Sequence, residues 1–138
     1  KLATDEKLRL PIIHHPAYSG GFVSPGVSGV ADYLQLGLLP RIFGADMPIF
    51  VSYGGRFTFT EEQCKRISSY IKQPLGLMKA ACPAPGGGVT DARLNELVEL
   101  YGNDTMFLVG GDMFRRGSDI EANMSYFVER LTKLSERT

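Results

Sequence analysis

The stretch Leu77–Met113, LMKAACPAPGGGVTDARLNELVELYGNDTMFLVGGDM, decides the fold class. An apolar run from Leu77 to Cys82 leads to Gly86-Gly87-Gly88, a short helical pattern follows, and a second apolar run, Thr105 to Val109, ends in Gly110-Gly111. The order is strand, glycine turn, helix, strand, glycine turn. Roughly 28 residues separate one strand from the next, which suits a βαβ unit whose parallel strands need a crossover helix. Both glycine turns fall at the carboxyl ends of strands, where sheets and barrels of this class bind ligands. Glycine there allows positive φ and lets backbone N–H groups approach an anion closely. Two such turns on adjacent strands could clasp one phosphate; the alternative is a pair of ordinary tight βα turns.

Working outward, the same alternation continues upstream. Leu10–Ile13 gives a short strand ending at His14-His15-Pro16, and Lys1–Arg9 reads as a polar arm with Leu2 and Leu8 as its apolar contacts. Tyr18–Gly29, rich in Gly, Ser and Pro, makes the kind of long loop that carries function in βα architectures. Gly29–Phe43 has helical spacing at Val30, Leu34, Leu38 and Ile42, with Pro40 expected to kink the helix or start a new turn and Gly44 to cap its carboxyl end. MPIFVS, Met47–Ser52, is a strand apolar on both faces, as a buried parallel strand should be, and it ends in Tyr53-Gly54-Gly55-Arg56. Thr60–Gln63 is a capping box opening a helix with Cys64, Ile67 and Ile71 inward, closed by Pro74. Leu94, Leu97, Val98 and Tyr101 form the next buried face, with Gly102 as its stop. Ser118–Glu121 reads as a second capping box. It starts a last helix with an apolar stripe at Ile120, Met124, Phe127, Val128, Leu131 and Leu134, while Lys133 and Arg137 suit its carboxyl end. Four βα units in succession, with no hairpin signal, make the chain parallel α/β.

At 138 residues the chain is one domain's worth, with 43% hydrophobic and 22% charged residues. Fifteen basic and fifteen acidic residues cancel, so nothing points to nucleic acid or a membrane surface. Every apolar run is far short of the ~20 residues of a membrane span. Cys64 and Cys82 form no metal-type cluster and read as reduced, buried thiols of a cytoplasmic protein. A start at Lys1 rather than Met suggests a processed or excised piece.

The strand and turn segments together resemble a known family. GGGVTDARLNELVELYGNDTMFLVGG, GADMPIFVSYGGRF and IIHHPAY are similar to the strand-seven to strand-eight, strand-six and strand-five segments of the RuBisCO-like proteins, relatives of the ribulose bisphosphate carboxylase large subunit. The resemblance covers Leu10 to about Leu134. It implies the carboxyl-terminal half, strands five to eight, of a TIM (β/α)8 barrel. Residues 1–138 would then be one partial domain, lacking the amino-terminal domain and the first half of the barrel.

Site roles follow from the resemblance alone. His14 would face the reacting carbons as a proton carrier or hydrogen-bond donor, and His15 stands where carboxylases bind phosphate with an arginine. Gly86, Gly87, Gly88, Gly110 and Gly111 would form the phosphate cradle. Arg56 takes the place of a loop-six lysine, exchanging a point charge for a planar fork, and Ile49 falls where carboxylases have a histidine. Carbon dioxide fixation is therefore not expected. The implied reaction runs through an enediolate stabilised by Mg²⁺ on a phosphorylated sugar or sugar acid, of isomerase, enolase or decarboxylase type. The family's metal ligands lie in the absent half, so no metal ligand is expected in this chain, and the chain alone is expected to be inactive. The expected partners are the rest of the barrel or a second copy of the chain, in a homodimer.

Plainer readings stand beside these. Adjacent histidines before a proline are often a solvated loop pair, Arg56 could be a plain loop arginine, and Arg115 and Arg116 read as a solvated turn close enough to meet an anion. Asp46 and Asp104 read as turn residues on the far face, with Asp112 left open. A non-catalytic half-barrel, or a small flavodoxin-like phosphate-binding sheet that self-associates, is the alternative from a different class.

Overall fold

The computed structural model describes residues 5–23 and 29–136. Leu2, Arg137 and the centre of the Tyr18–Gly29 loop lie outside those residues. Three parallel strands stand side by side in chain order: β1 (Ile13–His14), β2 (Met47–Val51) and β3 (Ala84–Gly86). Ile13 pairs with Met47 and His14 with Pro48, while Ile49, Phe50 and Val51 pair with Ala84, Pro85 and Gly86.

Thr105–Val109 runs beside β3 as the expected fourth strand, yet only one parallel bridge, Gly86 to Leu108, holds it. The sequence of β3 explains this. Met106 and Leu108 donate to the carbonyls of Pro83 and Pro85 at 2.9 and 3.1 Å. A strand residue's N–H and C=O point to the same side, and proline has no N–H to return. Pro83 and Pro85 therefore return no bond on that side.

The strand expected over Leu77–Cys82 is displaced toward the carboxyl end. Leu75 and Met78 close a tight turn around Gly76, whose φ is +57°, and Leu77 is fully exposed at the tip. Extended chain begins where Ala81 donates to Ile71 and Cys82 to Asp46, at 3.1 and 2.9 Å.

Helices connect and cover the strands. α1 (Gly20–Val23) is a single turn, and a π-helical stretch, Tyr33–Leu38, runs into α2 (Leu39–Ile42). Gly44, at φ +94°, ends this helix, as expected. α3 (Glu61–Lys72) carries the reciprocal capping box: the Thr60 amide donates to Gln63 Oε1 at 2.9 Å and the Gln63 amide to Thr60 Oγ1 at 3.2 Å. Gly37 lets the π-helical stretch approach α3 closely, since a Cβ there would meet Tyr70 Cβ at 3.1 Å and the Ile67 carbonyl at 3.2 Å.

α4 (Leu94–Tyr101) buries its four expected residues and stops at Gly102, φ +75°. α5 (Gly111–Arg115) is a short helix that the sequence pattern did not announce. α6 (Ile120–Ser135) is capped by Asp119, which accepts from the Ala122 amide at 2.9 Å, rather than by a box starting at Ser118. Its expected stripe divides: Phe127 and Leu134 are buried, while Ile120, Met124 and Val128 are 42–56% exposed. Asn123 takes a buried place instead, donating to the Met113 and Gly117 carbonyls at 3.0 Å each.

Phe50 packs with Ile67, Ile71, Leu94, Leu97 and Phe127 in one core. Burial on β2 alternates: Pro48 and Phe50 are buried, but Met47, Ile49 and Val51 are half-exposed. The strand expected to be covered on both faces is therefore covered on one. Its other face borders the cavity described next.

Candidate phosphate-binding site

The carboxyl ends of all four strand segments open onto one cavity of about 890 Å³. Ile49, Val51 and Leu108 supply apolar wall; His15, Tyr18, Ser19, Arg56 and the two glycine turns supply polar groups, and among the described residues no carboxylate lines it.

The neighbouring histidines part company here. His14 shares register with Pro48, on the buried face of β2, and its Nδ1 is buried with no hydrogen-bond partner among the described residues. Burial, and then the proximity of His15, push the His14 pKa below the ordinary 6.5. His15, one residue on, lines the cavity. Of the two histidines, it is His15 and not His14 that lines the cavity. A strand's period of two decides this, and a sequence offset of one residue reverses it.

Arg56 lines the cavity from the loop after β2, with its guanidinium 4.9 Å from the Phe57 ring centre. Gly86, Gly87 and Gly88 follow β3, and Gly87 and Gly88 have φ of +76° and +74°. Gly110 and Gly111 reach the same cavity from the fourth strand. A Cβ at Gly110 would meet nothing within 4 Å, and one at Gly87 would meet only Val51 Cγ1 at 3.9 Å. The space before these two backbones is open.

Gly88 differs. A Cβ there would lie 2.8 Å from the Gly55 nitrogen, so the turn after β2 and the turn after β3 touch backbone to backbone. Arg93 lies across this seam. Its Nη1 donates to the Tyr53 carbonyl at 2.7 Å and the Gly88 carbonyl at 3.1 Å; its Nη2 donates to Glu96 Oε1 at 2.9 Å. Its guanidinium stacks 4.5 Å from the centre of the Tyr53 ring, whose hydroxyl also donates to Glu96. Burial, and then the bond to Glu96, push the Tyr53 pKa up to about 12. Sequence reasoning missed Arg93; its only local signal is the i,i+3 pairing with Glu96.

Asp112 ties the last two turns together. Its Oδ2 accepts from the Asp91 amide at 2.8 Å and its Oδ1 pairs with Arg115 at 3.0 Å. The Asp91 amide is the main cause holding its carboxyl below the ordinary 3.8. Both arginines are exposed, as a solvated turn should be, and Arg116 also lies over the Tyr126 ring, 3.4 Å from its centre, and 3.9 Å from Asp91. Asp46 belongs to the opposite end of the sheet, accepting from the Ile12 amide at 2.8 Å. Among the described residues no group of three or more His, Cys, Asp or Glu is placed to hold a metal ion, and no helix is long and apolar enough to cross a membrane.

No family model matches the chain. It is 33% identical over 126 residues to ribulose bisphosphate carboxylase-like protein 1 of Rhodopseudomonas palustris, which covers 91% of this chain and 33% of that protein. It is 31% identical over 112 residues to 5-methylthioribulose-1-phosphate isomerase of Rhodospirillum rubrum, covering 81% and 30%. It is 29% identical over 131 residues to 2,3-diketo-5-methylthiopentyl-1-phosphate enolase of Exiguobacterium sibiricum, covering 95% and 33%. Among solved structures, a RuBisCO-like protein from Alicyclobacillus acidocaldarius superposes with a TM-score of 0.88 at 28% identity, over 99% of this chain and 34% of that one. The chain spans about a third of the length of these relatives.

Proposed function

The chain belongs to the RuBisCO-like protein family, and from that premise we propose that it is the phosphate-binding half of a barrel active site. Its substrate is a phosphorylated sugar derivative, handled by isomerase or enolase chemistry rather than carboxylation. The observation that carries this reading is the convergence of four strand ends on one cavity lined, among the described residues, by the charged side chain of Arg56 and by no carboxylate. The names of two relatives, an isomerase and an enolase of 1-phosphates, agree in the phosphate and differ in the rest.

In this reading the backbones of Gly87 and Gly110, open to the cavity, receive the phosphate, with N–H groups acting at close range because no Cβ intervenes. Arg56 adds a charged fork for phosphate or a developing oxyanion. On this proposal His15, which lines the cavity, takes a proton from carbon beside a carbonyl, leaving the electron pair in an enediolate, and returns it at the neighbouring atom. Ile49, Val51 and Leu108 border that intermediate with apolar side chains. Mg²⁺, implied by the family resemblance, finds no matching ligand set among the described residues.

The test is turnover of a five-carbon sugar 1-phosphate by the protein that carries this chain. His15→Gln should lower kcat by about 10²-fold or more, the range for a general acid–base group, while His14→Gln leaves it within a few-fold. The opposite outcome returns the role to His14.

A non-catalytic, self-associating half-barrel is favoured by one feature, the half-exposed sheet face of Ile13, Met47, Ile49 and Val51. Such a face calls for the rest of a barrel or a second copy to cover it. Sedimentation of the chain as a folded monomer at micromolar concentration would remove that reading.

A further inference from the structure

We propose that Arg93 is a positioning residue: it locks the loop bearing Arg56 onto the phosphate-binding turn of β3, so that the cradle and its cation form as one unit. The proposal rests on the phosphate reading of the cavity for its ligand, but its geometry is independent of any ligand.

Three observations carry it. The loop from Tyr53 to Phe59 has no helix or strand of its own, and Arg56 lies three residues beyond the Tyr53 carbonyl that Arg93 holds. The same nitrogen, Nη1, holds the Gly88 carbonyl, so one planar group joins the two turns. Gly54, Gly55 and Gly88 are small where this joint requires it: a Cβ at Gly54 would lie 2.6 Å from Arg93 Nη1, and one at Gly55 would lie 3.0 Å from the Gly88 nitrogen.

Glu96 and Tyr53 fix the fork itself, one by an ion pair and the other by stacking. A lysine could not replace this arrangement, because an ammonium group offers neither the planar stack nor the fork that spans two carbonyls and a carboxylate. Arg93 does not line the cavity; Arg56 and the turn it joins do. It therefore acts through them.

The experiment has a ligand-free arm and a ligand arm, on the protein carrying this chain. In the first, amide hydrogen exchange is compared between wild type and Arg93→Met, which keeps the apolar stem. Exchange at Gly54, Gly55 and Arg56 should rise by about tenfold or more, the scale on which a lost charge-assisted bond is felt, with α3 and α4 unchanged. Arg93→Lys should resemble Arg93→Met. Glu96→Ala, at an exposed position, gives the same local increase should Arg93→Met fail to fold.

In the second arm, inorganic phosphate is titrated by calorimetry against wild type, Arg93→Met, Arg56→Met and the double variant. Each single variant should weaken binding by about tenfold, and the double variant by no more than about twofold beyond Arg56→Met, because coupled groups are not additive. Unchanged exchange in both Arg93→Met and Glu96→Ala overturns the lock. Additive losses overturn its action through Arg56. A wild type that binds no phosphate defeats the phosphate reading and the cradle half of this proposal together, while the exchange arm still decides whether Arg93 orders the loop.

Discussion

Alanine placed in turn at Gly88, Gly87 and Gly110 separates three contributions that one cavity combines. Gly88 combines a φ of +74° with a Cβ direction blocked at 2.8 and 2.9 Å by Gly55 backbone, which cannot swing aside as a flexible side chain would. A Cβ in the left-handed region costs roughly 1–2 kcal/mol, and forced overlap typically costs about 1–3 kcal/mol. Gly88→Ala should therefore destabilise by roughly 2–5 kcal/mol, less the few tenths recovered from a stiffer unfolded chain. Gly87 has the positive φ without the overlap, its nearest atom being Val51 Cγ1 at 3.9 Å, so only the roughly 1–2 kcal/mol of conformation applies. Gly110 has neither, with φ −117° and nothing within 4 Å. Gly110→Ala should leave stability within about 0.5 kcal/mol yet weaken phosphate binding, because its methyl fills the space proposed for the anion. Urea unfolding of the purified variants followed by far-ultraviolet circular dichroism gives the three values; the chain has no tryptophan to report by fluorescence. Equal losses at Gly88 and Gly87 would refute the contact between the turns. Phosphate affinity untouched by Gly110→Ala would refute the cradle.

Other expectations follow from single contacts. Thr60→Ala breaks one arm of the capping box of α3 and should cost about 1 kcal/mol in urea unfolding. Phe127→Ala, at 1% exposure, should cost about 3–5 kcal/mol, whereas Val128→Ala, one residue on and 56% exposed, should stay within about 1 kcal/mol unless a partner surface covers it. Asp112 has its pKa lowered, chiefly by the Asp91 amide; its contribution is present above the unfolded value and lost as pH falls through the lower folded one. Asp112→Asn should therefore flatten the acid side of the stability profile as pH falls below the ordinary 3.8, as urea midpoints will show. His14 has its pKa lowered by burial and by His15, so protonation disfavours the folded state. Stability should be full above 6.5 and decline as pH falls toward the folded value, and the imidazole proton shifts should place that value below 6.5.

What could be read from the residues was mostly local. The Thr60–Gln63 box, the Gly44 and Gly102 stops and the inward faces of α3 and α4 depend on neighbours within one or two turns, and the structure has them as read. The strand boundaries were less legible. The apolar run at Leu77 hides a turn made by Gly76, and the pairing of the last strand depends on which side Pro83 and Pro85 face. Which histidine reaches the cavity was a matter of register against Pro48, a residue 34 positions away. Arg93 was invisible for the same reason: its acceptor at Tyr53 is 40 residues distant. The exposed half of the α6 stripe shows the limit of periodicity, which marks a face as apolar without saying what lies against it.

Pro83 and Pro85 have a consequence beyond a thin ladder. When Thr105–Val109 peels away in a local opening, the rim it uncovers offers acceptors at Pro83 and Pro85 but no amide hydrogens between them. A stray chain docking there would find half the bonds of a normal template. The residues that loosen the native join thus guard the opened protein against adding strands from its neighbours.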